Sequence, residues 1–446
     1  MKKVLFVATV DSHIRHFHIP YLKLFHDKGF EVHVATADDE GEKFDYCDEK
    51  HKITFERSPF KLNNLKAVNQ MVSLIKEEKF DVIHCHTPMG SVVTRLAVRK
   101  LRRHHKNNDD VQRANKETIS SGTQSTLDKG TNRSGAQCAP QEDSTLWSPN
   151  TMQVIYTAHG FHFFKGAPLK NWLIYYPIEK WLSKYTDKLI TINKEDYDLA
   201  KNKKFKAKKI YKIDGVGVDA GKFNFTMSEE EKKKLKKELS SLNGDFKINK
   251  GDIVVTYVAE LIKRKNQDLI IDVMNNICSV AHCASENDTN RSGAHCAPEN
   301  IKLLLVGTGA LRQYYEKRIQ KLHLEQNILL TGYRKDVPKI LKISDIAISC
   351  ARHEGLPFNL VEAQMSGLPC VATDVRGNNE VIEENKTGYL ISLKDSKKAT
   401  EKFENKLLKL CNSESMRERM GKNALENSKK YKLSRIIDEM KIIYEE

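Results

Sequence analysis

Residues 349–382 read SCARHEGLPFNLVEAQMSGLPCVATDVRGNNEVI, and the order of residue types in this stretch decides the fold class. The apolar run DIAISC (345–350) ends in a loop holding Glu354, Gly355, Leu356 and Pro357; an amphipathic segment follows, and a second apolar run, LPCVATD (368–374), closes the unit. Short apolar runs separated by a helical period signal parallel strands buried beneath helices. Glu354 falls in the loop and Glu362 inside the helix, so the two carboxylates sit in different surroundings. A helix opening at Leu356–Asn359 offers free backbone N–H groups and the positive end of its dipole, which suits a diphosphate. A loop carboxylate there reaches a sugar hydroxyl, and one further into the helix accepts both hydroxyls of a ribose. Taken without their neighbours, the same two glutamates also fit a helix face beside a solvent loop.

Outward from this stretch the alternation continues. On the C-terminal side of the chain, DIVVTYVAEL, a helix from Gln267, IKLLLVG, LRQYYEKRIQKLH, NILLTGY, DIAISC, LPCVATD and GYLI form one series. On the N-terminal side, VLFVATV, PYLKLFHDKG with Gly29 as helix cap, FEVHVAT, LNNLKAVNQMVSLIKEEK, FDVIHCH, QVIYTAH and KLITIN form another. The 446 residues exceed what one core organises, and 39% hydrophobic residues supply enough material for two. The seam is expected at Gly215 to Lys222, where GVGVDAGK precedes a lysine-rich helical stretch. The expected domains are 1–218, 219–428 and a C-terminal helix in 429–446 that packs back toward the first domain. Two polar segments, about 105–150 and about 279–299, break the pattern as surface inserts. They share a repeat, TNRSGAQCAP (131–140) and TNRSGAHCAP (289–298).

No apolar run approaches the ~18 residues of a membrane span, and MKKVLFVATV is read as a first buried strand rather than a signal peptide, because Asp11, Ser12, His13 and Arg15 follow directly. Nine scattered cysteines argue against a disulfide framework and for a reducing compartment. Lys and Arg (74) exceed Asp and Glu (59) by 15. Roughly +11 of this falls in residues 1–213, favouring an anionic partner: nucleic acid, a phosphorylated substrate or acidic lipid. Arg95, Arg99, Arg102 and Arg103 recur at helical spacing, and KNKKFKAKK (201–209) adds a second basic cluster. Together they suit an anionic membrane surface, or form an ordinary solvated face.

Cys278, His282, Cys283, His295 and Cys296 offer soft ligands, although their spacing fits zinc motifs poorly. His84 and His86 flank Cys85 and point to one face of a strand, as metal ligands or as buried histidines, and no metal is assigned there. VGTGALRQ, with Gly307 and Gly309, lacks the third glycine of a dinucleotide fingerprint and is read as close backbone packing. His159, with His162 as rival, follows the YTA strand at the carboxyl end, where α/β sites gather.

The EGLP stretch with its second glutamate resembles the signature of retaining glycosyltransferases of family four. YTAHGFHFFKGAP, NWLIYYPIEKWLSKYTDKLITINKEDY, DVIHCHTPMG, GVGVD and VAELIKRKNQ resemble the subgroup that builds bacterial exopolysaccharide and capsule units. The likeness spans nearly the whole chain apart from the inserts. It implies an α/β GT-B fold, two facing Rossmann-like domains with parallel sheets and a cleft between them, with an acceptor-binding N-terminal and a nucleotide-sugar-binding C-terminal domain. It also implies an enzyme, a hexosyl- or N-acetylhexosaminyltransferase. The sugar would move from a nucleoside-diphosphate donor, UDP being the expected nucleotide, to an undecaprenyl-diphosphate-linked saccharide with retention of anomeric configuration. No metal and no further cofactor are implied, and the expected location is cytoplasmic, peripheral to the inner face of the cell membrane. By the same resemblance His159 and Glu354 are catalytic, facing the donor sugar. Lys265, Arg264, Gly355, Leu356, Pro357, Glu362 and Arg334 bind the donor: Glu362 at the ribose, Lys265 at the diphosphate, and Tyr333 or Arg334 near the base. Glu260 stands where most of the family has arginine, so Arg264 or Lys263 substitutes, or Glu260 turns toward the acceptor. A nucleotide-sugar 2-epimerase of the same fold is the enzymatic alternative. A basic nucleic-acid-binding protein is the other, although no nucleic-acid motif is present.

Overall fold

The computed structural model describes residues 1–56, 58, 61–122, 147–284 and 300–446. The two decapeptide repeats, His295 and Cys296 lie outside them. The chain divides into two compact units, residues 1–191 with 196–212, and residues 192–195 with 213–446.

The first unit is a seven-stranded sheet: β1 (Lys3–Val7), β2 (Glu31–Thr36), β3 (Glu49–Lys52), β4 (Val82–Cys85), β5 (Gln153–Ala158), β6 (Lys188–Thr191) and β7 (Lys209–Lys212). The order is β3-β2-β1-β4-β5-β6-β7 and every pairing is parallel, Val4 standing opposite Val32 on one side and Val82 on the other. The inner strands are nearly all buried because helices cover both faces, which is why they read as unbroken apolar runs. Leu5, Ile83, Val154 and Leu189 join Met71, Ile75, Val93 and Val98 of the covering helices in one core. The edge strands β3 (EKHK) and β7 (KIYK) are half exposed and lysine-rich, a composition that discourages pairing with another chain.

The second unit repeats the plan with β8 (Ile253–Val258), β9 (Ile301–Val306), β10 (Ile328–Gly332), β11 (Ile346–Ser349), β12 (Cys370–Thr373) and β13 (Gly388–Ile391), ordered β10-β9-β8-β11-β12-β13 and wholly parallel. Two apolar layers enclose its sheet, one around Ile270, Met274, Phe403 and Leu407, the other around Leu239, Phe246 and Ile340. The expected close packing at Gly307 and Gly309 is present: a Cβ on Gly307 would lie 2.1 Å from the Ala259 carbonyl oxygen, and one on Gly309 2.6 Å from that of Leu261. The lysine-rich stretch after the seam is the helix Glu229–Ser240, opened by a capping box between Ser228 and Glu231. The helix Leu433–Glu445 belongs to this unit: the Val218 N–H donates to the Tyr431 carbonyl, and the Leu433 N–H to that of Val218, both at 2.9 Å.

One insert boundary differs from expectation. The helix that begins at Pro88 continues to Gly122, since residues 105–121 contain neither Pro nor Gly to break it. Among the described residues no helix is long and apolar enough to cross a membrane.

Candidate functional site

In a doubly wound sheet, ligands bind beyond the carboxyl ends of the strands where the order reverses. In the second unit that point lies between β8 and β11. The loop after β8 carries Arg264 and Lys265, and the loop after β11 carries Glu354. Lys265 Nζ donates to Glu354 Oε1 at 2.5 Å and Arg264 Nη1 to Glu354 Oε2 at 2.6 Å. The carboxylate is buried, while Arg264 keeps 35% of its side chain exposed and Lys265 14%.

The backbone around this triad is tied down. Tyr257 on β8 donates its hydroxyl to the Lys265 carbonyl at 2.7 Å. Arg352 Nη2 reaches the Asn266 side-chain oxygen at 2.8 Å, and the Glu354 N–H donates to the Arg376 carbonyl at 3.0 Å. Gly377, at φ +88°, lets the next loop close on Glu354, since a Cβ there would stand 2.8 Å from the Glu354 Cβ. Burial pulls the Lys265 ammonium below its usual pKa, the Arg264 charge adds to this, and Glu354 opposes it. Of the two candidates to replace the family arginine, Arg264 is the one drawn to Glu354. Lys263 and Glu260 are exposed, and among the described residues the Glu260 carboxylate has no hydrogen-bond partner.

The helix after this loop runs Phe358–Met365 with Pro357 at its N-cap and no side-chain cap. Leu356 is buried with its Cδ2 2.4 Å from where a Cβ on Gly215 would be, so the glycine makes room for the EGLP turn. Glu362 lies on this helix, partly buried and without a side-chain hydrogen bond among the described residues. Burial pushes its pKa up to about 7, with Lys222 opposing. The guanidinium of Arg334, the residue expected near a base, is engaged by Asp336 (2.6 and 2.7 Å) and Glu238 (2.8 Å). Tyr333 is 69% exposed.

In the first unit His159 stands just beyond β5, in a group of histidines from three adjacent strand ends. His159 Nε2 is 3.3 Å from His13 Nε2 and 3.4 Å from His86 Nδ1, and the His18 ring stacks on His86 at 3.7 Å. Burial holds His13, His18, His86 and His159 well below the usual histidine pKa, so all four are neutral near pH 7. His162 is exposed and stacks on Tyr175 instead. His84 is a buried strand histidine, its Nε2 2.8 Å from the Thr157 hydroxyl. The sequence reading missed His13 and His18; three histidines within SHIRHFHIP were the available signal.

The expected basic face is narrower on the helix than its spacing suggests. Arg95 is 1% exposed, paired with Glu179 at 2.8 Å and packed over the Tyr156 ring. Arg102 holds the entry to β5 through the Pro149 and Met152 carbonyls and Asp187. Arg99 lies over Trp181, which leaves Arg103 as the exposed member. In the second basic cluster Lys208 pairs with Asp187, and Phe205 is buried in the core. Along this helix Arg95, Arg99 and Arg102 are therefore packing and pairing residues, whereas Arg103 and the lysines Lys201, Lys203, Lys204, Lys206, Lys208 and Lys209 remain exposed.

Two family models match the chain: glycosyl transferases group 1 over residues 240–427, and glycosyl transferase 4-like over residues 3–106. EpsD of Bacillus subtilis (strain 168), which its name places provisionally among glycosyltransferases, is 33% identical across 99% of this chain and 96% of its own. The chain belongs to the GT4-type bacterial glycosyltransferases. An Escherichia coli UDP-Gal:alpha-D-GlcNAc-diphosphoundecaprenol alpha-1,3-galactosyltransferase is 23% identical to this glycosyltransferase, over 86% of the chain and 82% of the relative. Among solved structures, HepE of Anabaena, in complex with UDP and glucose, superposes with a TM-score of 0.67 at 16% identity, covering 100% of both chains. At that identity the likeness speaks for the fold, a GT-B glycosyltransferase with two Rossmann-like domains.

Proposed function

We propose that this GT-B glycosyltransferase of polysaccharide biosynthesis transfers a sugar from a UDP-sugar to an undecaprenyl-diphosphate-linked saccharide with retention of configuration, in exopolysaccharide or capsule synthesis. The observation that carries the reading is the convergence, at one switch point, of Lys265, Arg264 and Glu354 with a helix start that has no side-chain cap and, one helical stretch later, Glu362. Two cations and a helix N-terminus match a departing diphosphate, whose growing charge they stabilise most in the transition state. The reading therefore calls for no metal ion at the diphosphate. Glu362 accepts from the ribose hydroxyls, and Glu354 and His159 orient the sugar and stabilise its positive character without a covalent link. The leaving diphosphate helps to deprotonate the incoming hydroxyl on the same face.

Support for a lipid-linked acceptor comes from the name of the Escherichia coli relative and from an apolar groove of about 390 Å³ in the first unit, lined by Leu62, Leu65, Val92, Leu96 and Trp181, among others. Leu62 (81%) and Leu65 (66%) are largely exposed, with Lys61 on the rim, an arrangement that suits a polyprenyl chain and a peripheral position at the inner membrane face. NMR of the product made from an α-linked UDP-sugar and a lipid-linked acceptor tests the proposal. An α-glycoside is expected, and a β-glycoside would overturn the retaining assignment and the roles of Glu354 and His159 with it.

A further inference from the structure

The histidine group of the first unit is better built than a substrate-orienting role for His159 alone requires. His13 comes from the helix Asp11–Phe17 that follows β1, His86 directly follows β4, and His159 directly follows β5. Those three strands are neighbours, with the reversal of order between β1 and β4, so the sheet itself delivers three imidazoles to one point.

The spacing of their nitrogens is informative. A tetrahedral zinc ion with Zn–N bonds of about 2.0–2.1 Å needs ligand nitrogens roughly 3.3–3.4 Å apart. His13 Nε2 to His159 Nε2 is 3.3 Å, and His159 Nε2 to His86 Nδ1 is 3.4 Å. These separations are long for direct hydrogen bonds between neutral rings. His159 Nε2 would also have to serve two partners at once, whereas a shared cation satisfies all three lone pairs. A ligand atom of His18 lies within 4.8 Å of the others. Among the described residues both ring nitrogens of His18, which is 1% exposed, lack a hydrogen-bond partner. Buried polar atoms without partners are rare and call for an occupant. The rings are held neutral by burial, the state in which an imidazole ligates a metal.

We propose that His13 Nε2, His86 Nδ1 and His159 Nε2 form a binding site for a borderline divalent transition metal of the zinc class, with His18 beside its fourth position. The site is built from residues of the first unit alone and shares only His159 with the transfer reading. Occupancy takes His159 Nε2, so the sugar-orienting role proposed for His159 belongs to the metal-free protein and rests on Glu354 alone when the metal is bound. This departs from the expectation, drawn from resemblance, that the chain holds no metal.

The test is a titration of chelator-stripped full-length protein with Co²⁺. One equivalent should bind and produce the intense visible absorption of low-coordinate, nitrogen-ligated cobalt, and Zn²⁺ should displace it. His13→Ala and His86→Ala should each weaken binding at least ~10²-fold, whereas His16→Ala, outside the group and bonded to the Ser12 carbonyl, should not. Should a group variant fail to fold, the wild-type spectrum still decides. Absence of one-equivalent binding overturns the proposal, and so does a thiolate-to-cobalt charge-transfer band, which would place the metal on cysteines. Folded His13→Ala and His86→Ala proteins that bind as tightly as the wild type overturn it equally. Because metal binding is read directly, such a failure leaves the transfer reading intact.

Discussion

Glu354 is the shared partner of Lys265 and Arg264, so its charge restrains both cations that the proposed mechanism turns toward a diphosphate. Glu354→Gln removes that restraint, raising the local charge from about +1 to +2. UDP-glucose affinity should therefore hold or tighten while turnover falls ~10²-fold, the pattern of an interaction made mainly in the transition state. Glu362 should behave in the opposite way. Its carboxyl titrates at about 7 in the fold against an ordinary 4.5, and the ribose hydroxyls need the ionised form as acceptor. UDP-glucose has no phosphate ionisation in this range, so its affinity should rise with pH through about 7 and flatten in Glu362→Gln, which binds weaker by about 1.5–3 kcal/mol. Stability carries the complementary sign. A carboxyl whose pKa is raised by folding favours the folded state most below 4.5, and that advantage is lost as pH climbs to about 7. The Gln variant should thus gain on wild type above pH 7 and lose the gain in acid. Calorimetric titration and melting across pH 5–8 read both effects, and a pH-independent Glu362 affinity would remove the ribose assignment.

At the scale of elements, the inner strands were legible because parallel strands buried on both faces are unbroken apolar runs, as in KVLFV and IKLLLV. The edge strands Glu49–Lys52 and Lys209–Lys212 were not, since EKHK and KIYK look like charged linkers until a neighbouring strand is in place. The helix from Pro88 shows the same limit in its charges. Spacing placed Arg95, Arg99, Arg102 and Arg103 on one stripe correctly, but nothing in a period reveals that Glu179, 84 residues away, arrives opposite Arg95. EGLP and the basic loop announced Glu354 and Lys265 locally, whereas the histidine group exists only once β1, β4 and β5 are side by side. The corrected reading of Arg95 has its own consequence. Arg95→Gln strands a buried carboxylate and should cost about 3–5 kcal/mol, while Arg95→Met with Glu179→Leu should recover most of it, because apolar replacement of a buried pair is often neutral. Chemical denaturation of the single and double variants measures the difference, and a mild single variant would mean that Glu179 finds another partner.

At the scale of the whole molecule, the question is whether the two decapeptide-bearing segments matter to folding. Each core is complete without them: the layers of the first unit close with helices and strands up to Leu101 and again from Met152, and those of the second unit up to Ile277 and again from Ile301. The boundary of the first segment follows from contacts. Trp147 packs on the core and donates its indole N–H to the Phe80 carbonyl at 2.8 Å, so it must be kept. Arg102 Nε reaches the Pro149 carbonyl at 3.1 Å, so positions 102 and 149 lie within one arginine side chain of each other, and a Gly/Ser linker can replace 108–146. For the second segment, a linker replacing 285–299 joins the helix Gln267–Ala284 to β9. Loop closure changes slowly with length, by about 0.6 kcal/mol per doubling, so shortening these connections should alter stability by no more than ~1.5 kcal/mol. Both deletion proteins should melt within a few degrees of the parent and keep their turnover. The second, which removes His295 and Cys296, should also still bind one equivalent of Co²⁺ without a thiolate band. Loss of metal on that deletion with the fold intact would move the site to the insert, and unfolding of either protein would make the segment part of a core.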